Sequence, residues 1–112
     1  MVNLDGKTFR SLANTPNGEV SSDTVFHYRQ EGAFVWADYA GGGIKQGRLM
    51  GTLSAEGILT MKYLHRNGRD EIMTGECVST PAILPDGRIR FHESWRWTCG
   101  DFSSGESVIE EV

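Results

Sequence analysis

From Val35 to Cys99, the residues a sheet would bury stand on odd numbers through five successive candidate strands and the turns between them. Side chains of a strand alternate between its two faces, so an unbroken phase means one continuous sheet with one inner face. Folding each turn in order gives the pairs. A three-glycine turn, Gly41-Gly42-Gly43, sets Val35 opposite Leu49 and Ala37 opposite Gly47. A three-residue turn at Ala55-Glu56-Gly57 sets Leu53 opposite Leu59, Gly51 opposite Met61, Leu49 opposite Tyr63 and Gly47 opposite His65. A turn around Pro85-Asp86-Gly87 sets Cys77 near Trp95 and Gly75 near Trp97. The two halves share a phase only if the connection through Arg66-Asn67-Gly68 has odd length, which keeps Met73, Gly75 and Cys77 inside and leaves Thr74 and Glu76 outside.

The pattern extends upstream. An opening strand is expected around Thr8–Leu12, followed by the turn-rich loop Asn14-Thr15-Pro16-Asn17-Gly18. Asp23–Gln30 and Ala33–Ala40 then form a hairpin across Glu31-Gly32, which pairs Tyr28 with Val35 and Phe26 with Ala37. Strands near Ile44–Ser54, Ile58–His65, Glu71–Ser79 and Arg88–Cys99 follow; Asp101–Gly105 reads as a loop and Ser107–Val112 as a closing strand.

The 14 glycines and three prolines fall mostly between these runs, so the chain is expected to be all-β, and its 112 residues to form one domain over 1–112. About eight strands joined by short turns suffice for an antiparallel up-and-down meander to close into a small barrel without free edges. The inner glycines support curvature: Gly47 faces His65, Gly51 faces Met61 and Gly75 faces Trp97.

A net charge of −4 speaks against nucleic acid as a partner, which would call for a basic face. The N-terminus Met1-Val2-Asn3-Leu4-Asp5-Gly6-Lys7 carries no apolar stretch and no run is long enough to span a bilayer, so the expectation is a cytoplasmic protein without a membrane partner. The hairpin register separates Cys77 and Cys99 by about four residues, roughly 13 Å at ~3.3 Å per residue, against the ~4.4–6.8 Å of a disulfide. Two free thiols are expected.

The meander with its inward aromatics resembles the calycin group of lipocalin and avidin-like barrels, which bind small molecules in their mouths. Three stretches are also similar to a family of small bacterial proteins that often carry the name N-acetylglutamate synthase: Gly18-Glu19-Val20-Ser21-Ser22, Phe26-His27-Tyr28-Arg29-Gln30-Glu31-Gly32, and the run from His92 to Asp101. That resemblance implies acetyl transfer from acetyl-CoA to glutamate and assigns no catalytic residue. Acetyltransferases of the common fold hold pyrophosphate on an Arg/Gln-x-x-Gly-x-Gly/Ala turn that opens a helix. Arg29-Gln30-Glu31-Gly32-Ala33-Phe34 has Phe34 where a small residue belongs, and reads as a hairpin turn.

The inner face carries polar groups that a pure core would avoid: Tyr39, Tyr63, His65, Ser79 and Glu93, beside Trp95 and Trp97. Glu93, flanked along its strand by Phe91 and Trp95, must be paired, protonated or near an open end. Two arrangements satisfy this. In the first, Tyr39, Tyr63, Trp95 and Trp97 wall a ligand cup in which Glu93 and His65 fix polar groups. In the second, the same residues form a hydrogen-bonded network inside a filled barrel. Glu93 with His65, or Cys77 with His65, could also serve as an acid–base or thiol–base pair, but no nucleophile elbow, phosphate loop or metal spacing accompanies them. No cofactor, metal or catalytic residue is assigned.

On the outer face, Arg88, Arg90, His92 and Arg96 form a basic stripe that Glu76, across from Arg96, and nearby Asp70 would neutralise. Trp36 falls on the outer parity, beside Phe34 and across from His27, where it would mark a dimer patch or a surface covered by the first strand. The functional expectation is non-catalytic binding of a small, partly apolar molecule in the barrel mouth. The alternatives are an interaction or structural module with a filled barrel, acting as a homodimer, and an enzyme acting on a small acyl or acidic metabolite.

Overall fold

The computed structural model describes residues 2–112; Met1, with which the N-terminal reading begins, lies outside the described residues. Eight antiparallel strands follow one another around a closed barrel: β1 (Thr8–Asn14), β2 (Val25–Glu31), β3 (Phe34–Gly41), β4 (Ile44–Leu53), β5 (Leu59–Asn67), β6 (Ile72–Ile83), β7 (Ile89–Trp97) and β8 (Ser104–Glu111). Closure is made by β1 on β8, with Phe9 opposite Glu111 and Ser11 opposite Ile109. The odd-number phase is the inner face: Val35, Leu49, Leu59, Met61, Cys77, Phe91, Trp95 and Trp97 are all buried. Ile44 is an even-numbered exception, buried just past a bulge.

The register from β4 onward follows the expected pairs. Leu53 faces Leu59 and Gly47 faces His65; Cys77 faces Trp95 and Gly75 faces Trp97. The β5–β6 connection is odd, Gly68-Arg69-Asp70, closed by the Asn67 amide donating to the Glu71 carbonyl at 3.0 Å. Asp70 takes a left-handed φ of 61°, the conformation that ends a three-residue hairpin loop and that a short polar side chain tolerates.

The first two hairpins differ from expectation by a slide of two residues. Tyr28 pairs with Ala37 and Phe26 with Tyr39, not with Val35 and Ala37. The turn is Gly32-Ala33 rather than Glu31-Gly32 because Gly32, at φ 59°, occupies the first turn position, which a type II′ hairpin reserves for glycine. Likewise Ala37 pairs with Leu49 and Tyr39 with Gly47, not Val35 with Leu49 and Ala37 with Gly47. Here Gly41 and Gly42, at φ 118° and 61°, tighten the turn and a bulge after Tyr39 absorbs the odd residue. A slide of two preserves parity, so the inner set is unchanged.

Other boundaries move. β6 runs on to Ile83, and β8 begins at Ser104, inside the expected Asp101–Gly105 loop. Trp36 lies across from Arg29 and Met50 rather than His27, whose partner is Asp38. Asp70 pairs with Lys45 and Arg66 and does not join the arginine stripe; Arg88 and Arg90 are neutralised by Glu110, and Arg96 by Glu76. Both cysteines are free.

The two barrel ends are closed differently. At the end where β1 begins, the N-terminal segment turns in and seats Leu4, fully buried, with its amide donating to Gln30 Oε1 at 2.9 Å. Phe9 packs there on Tyr28 and Phe91, with ring centroids 5.0 and 5.5 Å apart. At the opposite end the β1–β2 connection, residues 15–24, lies over the mouth.

Candidate functional site

Beneath that connection is a cavity of about 50 Å³. Tyr39, Tyr63, His65, Glu93, Trp95 and Trp97, the six residues singled out from the sequence, all line it. They come from three strands, β3, β5 and β7, with Glu19 added from the loop side, and the wall is completed by Phe26, Leu49, Met61 and Cys77 among others. The space would hold about four water molecules at ~10–15 Å³ each; the barrel is thus nearly filled, with a small chamber at the mouth.

Glycines set where the rings lie. A Cβ at Gly47 would run into the Tyr39 ring, one at Gly75 into Tyr63, and one at Gly105 into Trp95. Each ring occupies the space that a neighbouring strand leaves by having no side chain. Trp95 and Trp97 meet at 5.4 Å and 64°, Tyr63 stands edge-on to Trp97 at 5.9 Å, and the Tyr63 and His65 rings are stacked at 6.2 Å. Both indoles are tied to the end of β1 and the connection that follows it. Trp95 Nε1 donates to Asn14 Oδ1 at 3.1 Å, and Trp97 Nε1 to the Asn17 carbonyl at 3.0 Å.

His65 lies between two partners. Its Nε2 is 2.8 Å from Glu19 Oε1 and its Nδ1 is 2.9 Å from the Tyr39 hydroxyl. A carboxylate can only accept, so neutral His65 carries its proton on Nε2 and accepts from Tyr39 at Nδ1. Burial lowers the His65 pKa, and the Glu19 contact opposes that shift. Glu19 is further held by the Asn67 amide at 3.0 Å and by Arg69 at 3.5 Å.

Glu93 is served by hydroxyls instead. Ser79 Oγ donates to its Oε2 at 2.6 Å and Ser107 Oγ to its Oε1 at 3.0 Å. Burial raises its pKa, and these hydrogen bonds work against the rise. Cys77 Sγ stands 3.8 Å from Ser79 Oγ, and burial, followed by the charge of Glu93, pushes its thiol well up. Burial also raises Tyr28, Tyr39 and Tyr63, so all three phenols keep their protons at neutral pH. The fully buried Tyr28 hydroxyl has no hydrogen-bond partner among the described residues.

The pairs weighed for catalysis do not form. The hydrogen bonds of His65 go to Glu19 and Tyr39, those of Glu93 to Ser79 and Ser107, and the Cys77 thiol faces Ser79. Sequence reasoning missed Glu19, Asn14 and Asn17, because they lie at or beyond the end of β1, where no strand phase applies. The one available signal was the turn-forming Asn14–Gly18 stretch, which marks a loop but not where it folds.

An antiparallel eight-stranded meander, closed on itself and holding a capped chamber at one mouth, defines a barrel of calycin-like architecture. The family model for avidin-like proteins matches residues 2–112, and the chain belongs to that family. No match was found among curated proteins or among solved structures. Among the described residues, no helix is long and apolar enough to cross a membrane.

Proposed function

We propose that this protein binds a small, partly apolar molecule in the barrel mouth, without catalysis, as one cytoplasmic barrel domain. The observation that carries the reading is the chamber lined jointly by Tyr39, Tyr63, His65, Glu93, Trp95 and Trp97, apolar in its walls and supplied with a few fixed polar groups. Membership of the avidin-like family is consistent with it. The test is intrinsic fluorescence of Trp36→Phe protein, in which the two remaining indoles are both inside, titrated with a library of metabolites, lipids and acyl-CoAs. A saturable change is expected; a folded protein that answers none of the library would overturn the reading.

A second reading has its own observation. Phe34, Trp36 and Met50 form an outer group exposed by 61, 38 and 69 %, and Trp36 faces Met50 across β3 and β4. Such a patch suits an interaction module or a homodimer; sedimentation would then show self-association that Trp36→Ala abolishes. Acetyl transfer, the activity implied by the name N-acetylglutamate synthase, has less support. Arg29–Phe34 is the β2–β3 hairpin and offers no helix N-terminus for a pyrophosphate.

A further inference from the structure

We infer that the molecule this chamber takes is a small organic ammonium ion, its charge held between the Glu93 carboxylate and the faces of Trp95 and Trp97. The inference rests on the small-molecule reading above and names the ligand class.

Charge is the first observation. The chamber is lined by two carboxylates, Glu19 and Glu93, and by no lysine or arginine. Glu19 is already engaged by His65, Asn67 and Arg69. Glu93 has no charged partner: its oxygens accept from two serine hydroxyls, one on each, with the Cys77 thiol beside them. Each carboxylate oxygen can accept a further bond, and a half-buried carboxylate with no salt-bridge partner among the described residues is costly for a fold to hold. A cation with N–H or N–CH₃ groups would supply the countercharge that the fold leaves out.

The walls are the second observation. Glu93, Trp95 and Trp97 are successive inward residues of β7, so the carboxylate and the two indoles stand in one row about 7 Å apart at ~3.3 Å per residue. Tyr63, edge-on to Trp97, extends the aromatic wall. Aromatic faces carry negative potential and attract cations, tryptophan most strongly. A neutral molecule could hydrogen-bond Glu93 but would bring it no countercharge and would gain nothing from the charge of the site, and an anion would meet two carboxylates. Size is the third: about 50 Å³ leaves room for a compact headgroup and no more.

The experiment is a titration of the full chain with tetramethylammonium, with tert-butanol as its neutral shape match and with pivalate as the anionic one, read by indole fluorescence and by calorimetry. Tetramethylammonium is expected to bind at least tenfold more tightly than tert-butanol, and the preference to vanish in Glu93→Gln. Equal or tighter binding of tert-butanol or pivalate would overturn the ammonium inference while leaving small-molecule binding intact. An unchanged preference in folded Glu93→Gln would also overturn it. The comparison of probes on the wild-type chain needs no variant, so the inference is testable even if Glu93→Gln does not fold. Silence from all three probes and from the wider library would sink both readings together.

Discussion

Glu93 sets the molecule's response to pH at the scale of single residues. Its folded pKa is raised by burial above the ordinary 4.5, so the unfolded chain releases this proton first as pH rises. Stability therefore falls between pH 4.5 and the raised value, and the loss is complete above it. Glu93→Gln should melt at a higher temperature than wild type at pH 7 and at the same temperature at pH 4, by circular dichroism; an equal or lower melting temperature at pH 7 would contradict the assignment. His65 acts with the opposite sign. Its pKa lies below 6.5 through burial, so its contribution is complete above that pH and is lost as pH falls toward the folded value. Gly75 tests packing at the same scale, since a methyl there must displace the Tyr63 ring and press on the Arg96 carbonyl. Gly75→Ala is expected to cost about 1–3 kcal/mol in chemical denaturation.

Among the elements, the β1–β2 connection is the one that lies over the chamber. It is fastened by Asn17 and Glu19 to Trp97 and His65, and Asn14 at the end of β1 holds Trp95. Glu19→Ala leaves the His65 N–H and the Asn67 amide short of a partner, a loss of about 1–3 kcal/mol. Hydrogen exchange at the Thr15 and Gly18 amides, bonded to Glu106 and Thr15 carbonyls, should quicken by roughly tenfold, equivalent to about 1.4 kcal/mol; unchanged exchange would show that Glu19 does not hold the loop. This element was also the least legible in the sequence. Parity fixes which strand residues point inward, and so it brought out the six chamber residues, but it is silent about a segment with no period. Parity likewise could not distinguish Tyr28 facing Val35 from Tyr28 facing Ala37, because moving a turn by one residue slides the pairing by two and exposes nothing new. The Leu53–Leu59 and Cys77–Trp95 pairs were legible because their odd turns had one position that suited the flanking phase.

For the whole molecule, closure is what turns a row of inward aromatics into a chamber. β1 meets β8, and the seam is flanked by Lys7 with Glu111 and by Glu110 with both Arg88 and Arg90. These pairs lie at the surface or partly so, and Glu110→Ala should lower stability only slightly, with a smaller effect at high salt; a large shift of the denaturation midpoint, measured by denaturant titration, would mean that the seam depends on them. The central claim, that ligands enter the barrel instead of docking on its outside, is tested most directly by the three tryptophan indole N–H signals in a nitrogen–proton correlation spectrum. The measurement is their displacement on adding tetramethylammonium or any compound that changes the fluorescence. Movement of the Trp95 and Trp97 signals with Trp36 unmoved is the expected result; movement of Trp36 alone would place recognition on the outer face and contradict the account.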